Sequence, residues 1–181
     1  DWAVRNDAYI DSIASICANP PAGENWLRIL NYKIQTEASE GLGYQTYTPG
    51  KNDYVYMKLF PQDDIEPLGI SPLGTDTVAV HYRGKLINGT VFDQSFSGNW
   101  NAEVSEPRSF AVSGVIVGWT TALMQMKEGQ HVELYIPASL GYGSVASGEI
   151  PAYSALVFDV RLEEVIHPKG PDDRSLKLKM E

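Results

Sequence analysis

The sequence has a single cysteine and few basic residues, and both shortages exclude classes of protein. Cys17 has no second cysteine with which to form an internal disulfide, and no Cys/His cluster with zinc spacing accompanies it. Against 23 Asp and Glu there are 14 Lys and Arg, so the net charge is −9, which argues against binding to nucleic acid or to anionic membrane surfaces. No run of about 18 apolar residues predicts a transmembrane helix.

Signatures of phosphate-binding, nucleophilic and metal-dependent enzymes are also missing. The chain has no P-loop, no dinucleotide-binding glycine motif after a strand, no Gly-x-Ser-x-Gly elbow and no His-Glu-x-x-His. The three histidines, His81, His131 and His167, are far apart in sequence and give no reason to predict a metal site. We therefore expect no metal and no cofactor, and any catalysis would proceed without a covalent intermediate.

The remaining sequence is organised around a short helix within residues 115–126. An apolar run leads to Gly118, which we interpret as a tight turn, and then to a helix of about two turns that opens at Trp119. Trp119, Leu123 and Met126 share one face of this helix. Because the flanking segments are predicted strands, the sheet must wrap around the helix for both to bury their apolar faces.

Alternating apolar and polar residues predict strands on both sides of this helix. Each predicted strand has one apolar and one polar face, which indicates an antiparallel sheet with one side exposed to solvent. The predicted fold class is therefore α+β, with an antiparallel β-sheet wrapped around one short α-helix. The predicted strands cover residues 54–60, 77–87, 132–136 and 156–162.

A small N-terminal helical extension precedes this predicted sheet. Trp2, Tyr9, Ile13 and Ile16 recur near helical spacing and predict an amphipathic helix over residues 2–18. Its apolar face leaves two alternatives open, because it could pair with a second copy as a homodimer or dock on its own domain.

The expected organisation has three parts. Residues 1–50 form the extension, in which 24–36 fit either a helix or an extended segment. A predicted loop over residues 37–52 leads from the extension into the next part. Residues 51–166 form the main domain, and residues 167–181 form a loose C-terminal tail.

Aromatic residues that lie next to turns or at strand ends predict a concave apolar pocket. Its few polar groups would be the Asp93 carboxylate and the hydroxyls of Tyr82 and Tyr142, which is typical of a small-ligand site. The other expected wall residues are Phe92, Val115, Ile116, Trp119, Ile150 and Phe158.

Several motifs, in this order and spacing, resemble those of FKBP-type peptidyl-prolyl cis-trans isomerases. They are Val78–Leu86, Gly89–Ser95, Val115–Trp119, Ile136–Gly143, Ile150 with Pro151, and Leu156–Val160. The resemblance covers about residues 75–166 and does not reach residues 1–50. A set of motifs in the same order over a whole domain indicates the family far more specifically than any one motif does.

The resemblance implies a role for each matching residue. Trp119 would form the floor under the proline ring, Tyr142 would donate its hydroxyl to a substrate carbonyl, and the Ile116 amide would bind a second carbonyl. The implied catalytic residues are Asp93, Trp119, Tyr142 and Phe158, and the implied substrate-binding residues are Tyr82, Phe92, Val115, Ile116 and Ile150. Proline-containing polypeptides are the implied substrates, and macrolide-type molecules are the implied inhibitors.

Two departures from the family pattern keep a second interpretation open. Arg108 stands where an apolar pocket wall is common, and the segment 94–107, which carries Trp100, is longer than in the shortest members. A non-catalytic FKBP-like binding or chaperone module is therefore the alternative. The N-terminal extension and the chain's start at Asp1, without Met, resemble exported bacterial foldases, so we expect a periplasmic protein or lipoprotein and leave the cytoplasm open.

Overall fold

The structure, a computed structural model, describes residues 1–39, 48–61 and 68–168. Seven strands form one antiparallel sheet in the order β1-β2-β6-β7-β3-β4, and β5 pairs with β3. This arrangement confirms the predicted fold class. The strands are β1 (Asn25–Leu30), β2 (Tyr54–Leu59), β3 (Thr77–Lys85), β4 (Val91–Gln94), β5 (Arg108–Ala111), β6 (His131–Ile136) and β7 (Leu156–Ile166).

The helices in the described ranges are α1 (Trp2–Ala18), α2 (Tyr32–Ser39) and α3 (Val117–Leu123). The predicted N-terminal helix is therefore confirmed as α1, and Asp1 caps it by accepting a hydrogen bond from the backbone N–H of Ala3. None of the described helices is long and apolar enough to cross a membrane.

The short helix α3 packs in one core with residues of the sheet, as predicted. Trp119, Leu123 and Met126 all point into the main core and are at most 4% exposed. The helix nevertheless begins two residues before Trp119 and ends at Leu123. Gly118 does not form the expected turn but lies inside the helix, where an added Cβ would come within 2.6 Å of Ile136. Its missing side chain thus allows α3 to approach β6 closely.

The ambiguous segment of the extension contains both a strand and a helix. β1 pairs with β2 residue by residue, from Asn25 opposite Leu59 to Leu30 opposite Tyr54. Helix α2 follows directly and extends to Ser39, so the loop predicted from residue 37 begins too early. The sheet therefore continues across the boundary expected at residue 50.

Helix α1 docks on the face of the sheet opposite α3. Ile10 and Ile13 are 2% and 5% exposed and pack in one cluster with Tyr56 of β2 and Tyr135 of β6, which are paired in register. Lys51 lies 2.9 Å from Asp7 and 2.6 Å from Asp11 and ties the helix to the start of β2. The prediction that this face is open to solvent is wrong here, because the two tyrosines give it an apolar surface.

A second part of the same face is covered by the long segment after β4. Trp100 packs edge-on against His81 at 4.5 Å between ring centroids, and the Arg161 guanidinium lies 4.7 Å from the Trp100 ring. His81 points away from Tyr82, as expected, and is only 3% exposed. The predicted C-terminal tail lies outside the described residues from position 169 onward.

Candidate active site

A cavity of about 640 Å³ opens above α3, between the end of the sheet and residues 143–151, which we call the flap. Strand β3 contributes Tyr82, β7 contributes Phe158, and α3 contributes Trp119. All nine residues expected at a pocket line this cavity: Tyr82, Phe92, Asp93, Val115, Ile116, Trp119, Tyr142, Ile150 and Phe158.

The floor of the cavity is the indole ring of Trp119. Three aromatic rings stand nearly perpendicular to it, with centroid distances of 5.2 Å to Tyr82, 5.7 Å to Phe110 and 5.2 Å to Phe158. Such edge-to-face contacts are the preferred geometry for aromatic pairs, and they fix the orientation of the indole. The indole N–H is buried and has no hydrogen-bond partner among the described residues, so the floor contains one donor that these residues leave unsatisfied.

One wall of the cavity depends on a glycine. Phe92 and Phe158 meet edge to face at 5.4 Å, and Gly84 on β3 lies opposite Phe158 on β7. A Cβ at this position would come within 2.6 Å of both rings. The absent side chain at Gly84 therefore leaves room for the two rings that form the wall.

A polar network occupies the rim. The Tyr82 hydroxyl donates a 2.6 Å hydrogen bond to Asp93 and accepts one of 3.1 Å from Arg108, which also lies 3.2 Å from Asp93. Burial, and after it the hydrogen bond to Asp93, raises the pKa of Tyr82 to about 12. Arg108, the departure noted in the sequence, thus forms an ion pair with the carboxylate at the rim and contacts the Tyr82 hydroxyl.

Residues 70–163 match the family model of the FKBP-type peptidyl-prolyl cis-trans isomerases. The chain belongs to this family. The match confirms the resemblance inferred from the ordered motifs, and all the residues that line the described cavity lie within the matched range.

Relatives of known name agree with this assignment. The chain is 48% identical over 99 residues to the FKBP-type 22 kDa peptidyl-prolyl cis-trans isomerase of Escherichia coli, covering 54% of this chain and 45% of the relative. It is 38% identical over 171 residues to FkpA of Aeromonas hydrophila, covering 94% of this chain and 58% of the relative. The chain thus spans about half the length of these curated relatives.

Solved structures show the same fold. The crystal structure of FkpA from Escherichia coli is similar with a TM-score of 0.54 and 29% identity, covering 89% of this chain and 66% of that one. A peptidyl-prolyl cis-trans isomerase from Pseudomonas syringae has a TM-score of 0.57 at 24% identity, covering 90% and 96% of the two chains. The latter likeness bears on the fold alone.

The flap of this FKBP domain supplies residues that the sequence did not point to. Ser147 and Ile150 form an isolated antiparallel bridge with two backbone hydrogen bonds of 2.9 Å, which shapes the flap into a tight hairpin. Ile150, whose backbone closes this hairpin, is 5% exposed. Tyr142, which lies just before the flap, is 41% exposed. Three of the lining residues that are absent from the expected set belong to the flap: Ser147, Gly148 and Glu149. The other two, Phe110 and Gly114, lie outside it.

Potential metal ligands are dispersed in the described part of the chain. No group of three or more His, Cys, Asp and Glu side chains there is arranged to hold a metal ion. Beside its apolar walls, the cavity offers hydroxyls, one carboxylate paired with Arg108, and backbone amides. These groups can bind and orient a polypeptide.

Proposed function

We propose that this protein accelerates the cis–trans isomerisation of X-Pro bonds in polypeptides, without a cofactor or a covalent intermediate. The observation that supports this most strongly is the convergence of the nine expected residues on one cavity with Trp119 as its floor. Their spacing in sequence, from Tyr82 to Phe158, covers most of the domain, so only the fold brings them together.

The proposed mechanism is preferential binding of the twisted amide. Resonance makes the peptide barrier about 18–20 kcal/mol, and X-Pro bonds therefore isomerise over tens to hundreds of seconds. The twisted amide has lost resonance and is less dipolar than the planar one, so apolar walls solvate it better, relative to water, than they solvate the ground state. Each tenfold acceleration needs about 1.4 kcal/mol of such preference.

In this mechanism the polar groups hold the chain on either side of the rotating bond. The Tyr142 hydroxyl and the Ile116 amide bind the flanking carbonyls, while Trp119 and Phe158 enclose the proline ring. Asp93 lies 3.2 Å from Arg108 at the rim and accepts the Tyr82 hydroxyl hydrogen bond. No proton transfer is required at any step.

The test is a protease-free isomerisation assay on an X-Pro peptide with the wild type and the variants Trp119→Leu and Phe158→Leu. Each variant should lose at least about tenfold in kcat/KM, since it removes a ring that seats the proline. Val104→Ala, at a side chain that is 73% exposed, is the matched control. Circular dichroism establishes that each variant is folded.

Two other outcomes would count against the proposal. Full turnover in both pocket variants would remove the proposed role of the rings. A wild type that binds the peptide without accelerating its isomerisation would favour the alternative, a non-catalytic FKBP-like binding or chaperone module.

Finer features of the function are proposals of the same kind. We place the isomerase domain at residues 51–166 and the extension at 1–50, and we expect macrolide-type inhibitors to fill the cavity. A homodimer through α1 would have to use its exposed side, where Val4 is 63% exposed, because Ile10 and Ile13 are docked on its own sheet. Ile16, which was expected on the apolar face, is 36% exposed. Light scattering at several concentrations tests the dimer.

The proposed setting is outside the bacterial cytoplasm, where the protein would assist folding as a periplasmic protein or a lipoprotein. The curated relatives come from bacteria, which supports the bacterial part of this proposal. Cell fractionation of a producing bacterium would test the rest, and recovery in the cytoplasmic fraction alone would contradict it.

A further inference from the structure

The segment that follows the flap, residues 152–155, is held at two places, and we call it the flap return. At one end the Tyr153 N–H donates to the Gly143 carbonyl at 2.8 Å, which joins the two ends of the flap. Tyr153 has a φ of 64°, a left-handed conformation that is uncommon for a bulky residue. Such a conformation persists only where the surroundings fix the backbone.

The other end of the flap return is bound to the first turns of α1. The Trp2 indole N–H donates a 2.9 Å hydrogen bond to the Ser154 hydroxyl, and that hydroxyl donates to the Pro151 carbonyl at 2.6 Å. The Arg5 guanidinium lies 5.1 Å from the Trp2 ring and packs on it. A side chain from the second residue of the chain is therefore two hydrogen bonds away from the flap itself.

Asn6 makes the second link between α1 and the flap return. It is 2% exposed, its side-chain oxygen accepts a 2.8 Å hydrogen bond from the Ala155 N–H, and its amide donates to the Trp2 carbonyl at 2.7 Å. A buried amide whose donor and acceptor are both used holds its partners in one geometry. Removing it would leave the buried Ala155 N–H without a partner.

These contacts reach the cavity through the chain itself. Ile150, whose side chain lines the cavity, precedes the flap return by one residue, Pro151, and Phe158 follows it three residues later. We propose that Trp2 and Asn6 are positioning residues of the active site, which hold the flap and Ile150 over the cavity through Ser154 and Ala155. This inference rests on the proposed isomerase function, and it assigns part of that function to the extension.

The test compares Asn6→Ala and Trp2→Phe with Asp7→Asn in the full chain. Asp7 lies next to Asn6 on the same helix but binds Lys51 and not the flap return, which makes it a matched control. With an X-Pro peptide, the two test variants should raise KM by about threefold to tenfold and leave kcat nearly unchanged, because the flap holds the substrate while the floor favours the twisted amide. Asp7→Asn should leave both constants as in the wild type.

Amide hydrogen exchange supplies a readout that does not need turnover. The Ile150 N–H, which donates to the Ser147 carbonyl at 2.9 Å, should exchange at least about tenfold faster in Asn6→Ala, with the amides of β7 unchanged. Exchange that accelerates equally in β7, or a KM and an Ile150 exchange rate equal to the wild type in both variants, would overturn the assignment. A wild type without turnover would instead overturn the proposed function, and hydrogen exchange would still decide the positioning role.

Discussion

Gly84 contributes to the cavity by the side chain it lacks. We expect Gly84→Ala to lower kcat/KM at least about tenfold, because the new methyl group must displace Phe92 or Phe158 from the wall. The displacement should also lower the free energy of unfolding by roughly 1–3 kcal/mol. The isomerisation assay and urea unfolding measure the two effects.

The matched control for that change is Gly74→Ala, since no atom lies within 4 Å of a Cβ added at Gly74. It should leave both quantities close to the wild type. Wild-type turnover in Gly84→Ala would show that the two rings accommodate the methyl group and that the wall does not depend on the glycine.

Tyr82 predicts how stability responds to alkaline pH. Its pKa is raised from 10.0 to about 12 in the folded chain, first by burial and then by the bond to Asp93, so the folded state binds more protons than the unfolded state between these values. The contribution of the protonated Tyr82 hydroxyl to the free energy of unfolding is fully present below about pH 10 and is lost as the pH rises through about 12. Tyr56, whose pKa burial also raises to about 12, acts in the same direction.

We therefore expect the free energy of unfolding of the wild type to fall between pH 10 and pH 12, and that of Tyr82→Phe to fall less steeply. Urea unfolding at a series of pH values measures both slopes. At neutral pH the free energy of unfolding of the variant should already be lower by roughly 1 kcal/mol, because the hydrogen bond from Tyr82 to Asp93 is lost. Parallel curves for the two proteins would contradict the assigned role of Tyr82.

At the scale of elements, strands that are buried on one face could be predicted from the sequence, because their apolar residues alternate. Strands without such a buried face could not be predicted. β7 alternates as far as Leu162, with Leu156, Phe158 and Val160 in the core, and the strand predicted over residues 156–162 is present but continues to Ile166. β1 is an edge strand in which Ile29 alone is buried, so its residues show no clear period of two. The sequence could not distinguish this strand from a helix, because the pairing with β2 that fixes it is not local.

The long segment after β4 is predicted to stabilise the sheet and not to bind substrate. Trp100 contacts His81 and Arg161 on the face opposite the cavity. Trp100→Ala should lower the free energy of unfolding by roughly 1–3 kcal/mol, less than a core tryptophan because the ring is partly exposed. Its kcat/KM should stay within about twofold of the wild type.

Urea unfolding and the isomerisation assay measure these two effects of Trp100→Ala. The control in the same segment is Val104→Ala, which should change stability by no more than about 0.5 kcal/mol because Val104 is 73% exposed. If Trp100→Ala lost turnover while remaining as stable as the wild type, this segment would belong to the substrate site.

At the scale of the whole molecule, the residues that line or support the cavity divide into those the sequence could indicate and those it could not. Aromatic rings such as Trp119 and Phe158 are conspicuous, and the family motifs contain them. Gly84 acts through an absent side chain, and Ser147 through backbone bonds that only the folded hairpin shows. The contact of Asn6 with Ala155, 149 residues apart in sequence, has no local signal at all.

The same long-range contacts predict that the extension and the FKBP domain unfold together. β1 is paired with β2 along its full length, and α1 buries Ile10 and Ile13 against Tyr56 and Tyr135, so neither can lose its structure without exposing the sheet. Backbone amide signals of β1 and β7, followed by NMR during urea unfolding, should disappear at one midpoint, as in a two-state transition.

A substitution in α1 makes this test sharper. Ile10→Ala should lower the free energy of unfolding by roughly 2–4 kcal/mol, because the side chain is 2% exposed and its removal leaves a cavity. In a single cooperative unit this change must shift the β7 midpoint as far as the β1 midpoint, although Ile10 has no part in the active site. Val4→Ala, on the exposed side of the same helix, should shift neither. Loss of the β1 signals ahead of β7 would instead make the expected boundary near residue 50 a boundary between folding units.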